Sequence, residues 1–128
     1  MKIICTWIII QDKRVLLIKR SKNKNVYPNF WAFPWWRQEE SETLEQTTIR
    51  EIKEEVWLDF EIEKLYNERV SEKWYFHDFI WKASGIVILQ VEECDWYWWF
   101  NYNETTSLPI AWSVQRIIEK LHDENLID

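Results

Sequence analysis

The sequence predicts an α+β fold with a mixed β-sheet, and three observations carry that expectation. Residues 3–10 (IICTWIII) are mostly β-branched or aromatic, which suits a buried strand. Val114, Ile117, Ile118 and Leu121 recur at i, i+3, i+4 and i+7, the stripe of an amphipathic helix. Between them, short strand-like segments are interrupted by one further helical stretch, an order that gives a mixed sheet covered by helices in an α/β/α sandwich.

Taken in order, residues 3–10 form the first expected strand, 11–14 a polar turn and 15–18 a second strand. Residues 19–29 are basic and polar with Pro28, an exposed loop; the aromatic segment 30–33 stops at Pro34. A helix is expected over 43–56, because Ile49, Ile52 and Val56 share one face. Thr43 and Gln46 stand at capping-box spacing, and Glu45 suits the positive end of the helix dipole. Phe60 and Ile62 alternate with polar residues as in a half-buried strand; 73–80 and 83–91 read as two more strands. Residues 92–95 read as an acidic turn, 99–102 as a last short strand, and the closing helix carries the stripe at 114–121.

A chain of 128 residues is expected to form one domain, 1–128, able to bury a proper core. Apolar residues at 47% and charged residues at 30% exclude a disordered chain. A net charge of −6 argues against a nucleic-acid polymer as partner, which demands a positive footprint. The apolar run at 3–10 falls far short of the ~20 residues that cross a bilayer, and no small-residue cleavage site follows it, so no membrane role is expected. Cys5 and Cys94 have neither disulfide-framework nor zinc spacing, which fits a reduced, cytoplasmic setting. Oligomeric state has no signature in the sequence.

The chemistry lies in the segment Arg50-Glu51-Ile52-Lys53-Glu54-Glu55-Val56. At 100° per residue, Glu51, Glu54 and Glu55 fall within about a 100° arc beside the apolar stripe. Three carboxylates on one patch repel unless they point into water or share a cation, and a hard divalent ion such as Mg²⁺ prefers such oxygens. A solvated acidic face is the competing reading of the triplet alone.

The flanking residues decide between the two. Phe33-Pro34-Trp35-Trp36, then Glu42, Arg50-Glu51, Glu54-Glu55 and Trp57-Leu58 closely resemble the box of the Nudix hydrolases, G-x5-E-x7-R-E-U-x-E-E-x-G-U, with U aliphatic. All four glutamates and the arginine are in register, and Ile52 and Leu58 fill the U positions. VLLIKR, NFWAFP and the layout to the last helix are similar too, so the resemblance spans nearly the whole chain. It implies a Nudix-type fold and Mg²⁺-dependent (or Mn²⁺-dependent) hydrolysis of the pyrophosphate in a nucleoside diphosphate linked to another group X, a small nucleotide substrate. It makes Glu51, Glu54 and Glu55, with the Trp35 carbonyl, the metal ligands. It makes Glu51, Glu54 and Arg50 the catalytic set, with Arg50 orienting Glu51 and Glu42 bracing the loop. Arg20 is the candidate for substrate phosphate, and Glu92, Glu93 or Asp95 for a further acidic ligand. Trp31, Trp74, Tyr75 and Phe76 are candidates for stacking on a base or for core packing; His77 could contact substrate or be structural, and His122 reads as exposed.

One feature departs from the family. The chain has 11 tryptophans and one glycine, where ordinary usage of roughly 7% would give about nine glycines. Trp35, Trp36 and Trp57 stand where the family has glycine, and a tryptophan at φ > 0 beside the metal would be strained. Exchanging these three and Trp7, Trp81, Trp96 and Trp98 for glycine would leave eight glycines and four tryptophans, an ordinary composition. A stop codon read as glycine by the source and as tryptophan in translation would produce this pattern, as would deliberate substitution. Two rivals to the enzyme follow: a catalytically impaired Nudix-fold domain that binds a nucleotide or protein, and a plain interaction domain with a tryptophan contact patch.

Overall fold

A computed structural model of the chain describes residues 2–23, 27–37, 59–70, 72–84 and 94–128. They gather into two compact units, Met1–Ile9 with Pro34–Gln90, and Ile10–Phe33 with Val91–Asp128. The fold is α+β with a mixed sheet.

In the first unit, β1 (Lys2–Gln11) contributes its residues up to Ile9 and stands beside β4 (Trp35–Arg37) and β6 (Trp74–Ser84). The β1–β4 pair is antiparallel, with Ile4 opposite Arg37, Cys5 opposite Trp36 and Thr6 opposite Trp35. The Trp7 N–H extends it by donating to the Pro34 carbonyl at 2.8 Å. β5 (Asp59–Val70) and β6 form an antiparallel hairpin with two bulges, between Ile62 and Lys64 and between Leu65 and Asn67. Every residue of β1 from Ile4 to Ile10 is buried, so both faces of this strand are covered; that explains an unbroken apolar run in place of alternation. Cys5 is buried and forms no disulfide.

In the second unit, β2 (Arg14–Arg20) pairs antiparallel with the end of β1, with β3 (Trp31–Ala32) and with β7 (Cys94–Phe100). Trp31 also makes a parallel bridge to Ile110. The two-residue β1–β2 turn needs left-handed backbone, which Asp12 and Lys13 supply at φ 52° and 58°. Two helices follow, α1 (Tyr102–Thr105) and α2 (Trp112–Asp123). A reciprocal capping box starts α1: Asn101 Oδ1 accepts from the Glu104 N–H at 2.9 Å, and Glu104 Oε1 accepts from the Asn101 N–H at 3.0 Å. Helix α2 buries Val114, Ile117, Ile118 and Leu121, the stripe read from the sequence. It ends in a Schellman motif with Asn125 left-handed at φ 60°: the Asn125 N–H reaches the His122 carbonyl and the Leu126 N–H reaches that of Leu121. The tail then runs back, with the Asp128 N–H donating to Lys13 and its carbonyl accepting from Tyr102.

Several expectations need correction. The strand expected at 73–80 continues to Ser84, so the break before 83 does not exist; the rest of the 83–91 stretch lies outside the described residues. Cys94 and Asp95 belong to β7 and not to a turn. The strand expected at 99–102 is β7 itself, ending at Phe100, with Tyr102 opening α1. Lys19 and Arg20 extend β2 instead of opening the loop. The helix expected over 43–56 lies outside the described residues.

Leu121 is fully buried on α2. Leu121→Ala is expected to lower unfolding free energy by about 2–5 kcal/mol, and Asn125→Ala, which forces a Cβ residue into the left-handed cap, by ~1 kcal/mol; urea denaturation measures both.

Candidate active site

Of the residues read from the sequence as metal ligands, Trp35, on β4, is the one that the structure describes. The pairing of β4 to β1 places Trp35 directly across from Thr6, with their side chains on one face of the ladder. Trp35 and Trp36 are extended. The described residues with positive φ are Asp12, Lys13, Tyr27, Asn29 and Asn125, and none is a tryptophan, so the left-handed strain expected at Trp36 is not present. Glu42, Arg50, Glu51, Glu54, Glu55, Trp57, Glu92 and Glu93 lie outside the described residues. Among the described residues, no group of three or more His, Cys, Asp or Glu side chains is close enough to hold a metal ion. The donor set read from the sequence, three carboxylates and a main-chain carbonyl, consists entirely of oxygen and so fits Mg²⁺ or Mn²⁺.

A polar network occupies the same face as Thr6. Asp78, on β6, is fully buried. Arg69, on β5, donates to it twice, Nε to Oδ2 at 2.9 Å and Nη2 to Oδ1 at 2.8 Å. Asn67 Nδ2 adds a third bond to Oδ2 at 3.2 Å, and Arg69 Nη2 also donates to Thr6 Oγ1 at 3.2 Å. The guanidinium lies 4.4 Å over the Phe76 ring. The hairpin register dictates this arrangement, because Asn67 faces Asp78 and Arg69 faces Phe76. The sequence signal was a lone carboxylate inside the apolar run FHDFIW, which must find a cation once buried.

The opposite face of the hairpin carries Glu68, Tyr75 and His77. The Tyr75 hydroxyl donates to Glu68 Oε2 at 2.7 Å, and its ring lies 4.6 Å from that of His77. The Tyr75 phenol is held above its ordinary pKa, first by that hydrogen bond to Glu68, then by desolvation, and then by repulsion from the Glu68 charge. His77 is buried, with Nδ1 3.8 Å from Glu68 Oε1, on the face away from Thr6 and Trp35.

Other candidates fall elsewhere. Arg20 ends β2 opposite Cys94, and its N–H donates to the Phe30 carbonyl at 2.8 Å. Asp95 is on β7, with its side chain outside the described part. Trp31 packs edge-on to Phe100 at 5.0 Å, and Trp74 is half-buried. His122 is exposed and stacks on Tyr102. No helix among the described residues is long and apolar enough to cross a membrane.

Comparison with known proteins agrees with this architecture. A family model described as the NUDIX domain matches residues 1–121. A NUDIX hydrolase from Nitrosomonas europaea is 26% identical, with a TM-score of 0.72 over 95% of this chain and 72% of that one. The MutT fold described for Aliivibrio salmonicida and Vibrio cholerae, 17% identical, superposes with a TM-score of 0.77 over 96% of this chain and 98% of that one. A stretch of 47 residues is 43% identical to the m7GpppN-mRNA hydrolase NUDT17 of Xenopus laevis; it is 37% of this chain and only 16% of that protein's length. With a family model covering nearly the whole sequence and a fold shared with MutT, the chain belongs to the Nudix hydrolase family.

Proposed function

We propose that residues 1–128 act as one Nudix-like domain that hydrolyses the pyrophosphate linkage of a small nucleotide, a nucleoside diphosphate joined to a group X. The observation that carries this reading is the register of Glu42, Arg50, Glu51, Glu54 and Glu55, at the family's spacing. Glu51, Glu54 and Glu55, with the Trp35 carbonyl, would hold Mg²⁺ or Mn²⁺. Bound there, the ion supplies charge neutralisation at the phosphates and a more acidic water. Glu54 and Glu55 serve as ligands, and Glu51 serves either as a further ligand or as the general base that takes the proton from the attacking water. Arg50 fixes Glu51 through an ion pair, and Glu42 braces the loop by pairing with Arg50. Arg20 would meet substrate phosphate as a charge-assisted donor. The box sets the reaction, while the rest of the pocket selects X. The proposed setting is the cytoplasm, with neither a membrane nor a nucleic-acid polymer as partner.

A second reading is favoured by Trp35, Trp36 and Trp57. If the natural chain carries tryptophan there, bulky side chains crowd the metal loop, and a binding domain without turnover fits better. Trp96, Trp98 and Trp112 are 59%, 52% and 76% exposed, surface that a protein-contact role would use.

Phosphate release from nucleoside triphosphates, dinucleoside polyphosphates and nucleotide sugars, with and without Mg²⁺, tests the enzyme directly. Activity is expected only with the metal, and Glu54→Gln should reduce it by about 10²–10⁴-fold. Metal-independent release, or full activity in Glu54→Gln, would sink the assignment. The triple variant Trp35→Gly, Trp36→Gly, Trp57→Gly is expected to be more active than the chain as written. Peptide mass spectrometry of protein from its native source is expected to find glycine at 35, 36 and 57; tryptophan there would end the misreading hypothesis.

A further inference from the structure

The face that bears Thr6 and Trp35 also holds a fixed guanidinium whose retention stability alone does not explain. Taking a carboxylate and a guanidinium out of water costs several kcal/mol per ion, and apolar residues of similar volume at the two positions would serve stability as well or better. The pair instead secures geometry. Two bonds to Asp78 at 2.9 and 2.8 Å, one to Thr6 at 3.2 Å and the Phe76 ring at 4.4 Å fix the plane of the Arg69 group. The Arg69 side chain is 17% exposed, while that of Asp78 is wholly covered.

Charge decides what such a group can bind. Asp78 cancels the charge of Arg69, so the site is a poor trap for an extra phosphate. A flat guanidinium layered on an aromatic ring is instead a stacking surface for a planar heterocycle. Its place suits a nucleotide. Arg69 touches Thr6, and Thr6 stands directly opposite Trp35. Neighbouring strands are ~4.8 Å apart, so the surface lies about one to two strand spacings from the backbone proposed to hold the metal, a gap for a ribose to bridge.

We propose that Arg69, clamped by Asp78 and backed by Phe76, is a specificity-determining residue that stacks on the base of a nucleoside substrate, so that the base and not only the diphosphate is recognised. The proposal takes from the hydrolase reading only the position of the diphosphate.

Binding rather than turnover separates the two. Calorimetric titration of the full chain with the common nucleoside 5′-monophosphates and with ribose 5-phosphate, which has no base, measures the contribution of the base. At least one monophosphate should bind about tenfold more tightly than ribose 5-phosphate. The double variant Arg69→Met, Asp78→Leu removes both ions and leaves no lone buried charge; it should lose that margin and keep its affinity for ribose 5-phosphate. Arg69→Lys keeps a cation for Asp78 but not the plane, and should lose the margin as well, whereas a purely structural role would be rescued by lysine. The proposal is overturned if the native chain shows no margin for a base, or if the margin survives in Arg69→Lys. Neither result depends on hydrolysis, so a chain that binds bases but releases no phosphate would contradict the enzyme and leave Arg69 in place.

Discussion

A carboxylate with no access to water has to be satisfied by its neighbours, and Asp78 organises the hairpin of β5 and β6 for that reason. Its two oxygens receive three bonds, from Arg69 twice and from Asn67, and Arg69 in turn reaches Thr6 on a strand distant in sequence. The network ties β5, β6 and β1 together through side chains, on the face from which Trp35 also projects. Removing one partner would leave an unpaired buried charge, a loss of several kcal/mol in such pairs; this makes the group a rigid unit.

Scarcity of glycine is the second constraint. Left-handed backbone is needed at the β1–β2 turn, around Pro28 and at the end of α2, and the chain meets it with Asp12, Lys13, Tyr27, Asn29 and Asn125. Aspartate and asparagine tolerate this region because their short side chains bond locally; lysine and tyrosine carry the ordinary steric cost. The described tryptophans occupy extended or helical backbone instead. Trp7 is wholly buried in β1, while Trp96, Trp98 and Trp112 stand in water. Among the described residues, tryptophan at positions 35 and 36, where the family has glycine, therefore carries no left-handed backbone strain.

Much of the fold was legible along the chain, because a strand buried on both faces and an amphipathic helix write themselves into consecutive residues: Ile4–Ile10 and the stripe from Val114 to Leu121. Boundaries were less so. The break expected near residue 82 fails because pairing with β5 carries β6 through to Ser84. The short helix α1 was missed although its signal, Asn101 with Glu104 three residues on, is local. Of the candidate site, the spacing of the box glutamates and Arg50 is a property of the sequence, and those residues lie outside the described part of the structure. Arg69 and Thr6 were not legible, since 63 residues separate them and only the sheet brings them to 3.2 Å.

The sequence by itself determined the α+β class and the family, patterns of near neighbours at fixed spacing. The tertiary structure decided the clamp on Arg69, the removal of His77 to the other side of the hairpin and the extended path at Trp35. Those depend on which strands pair and in what register, and hydrogen bonding across a sheet joins residues whose order in the chain carries no trace of the contact.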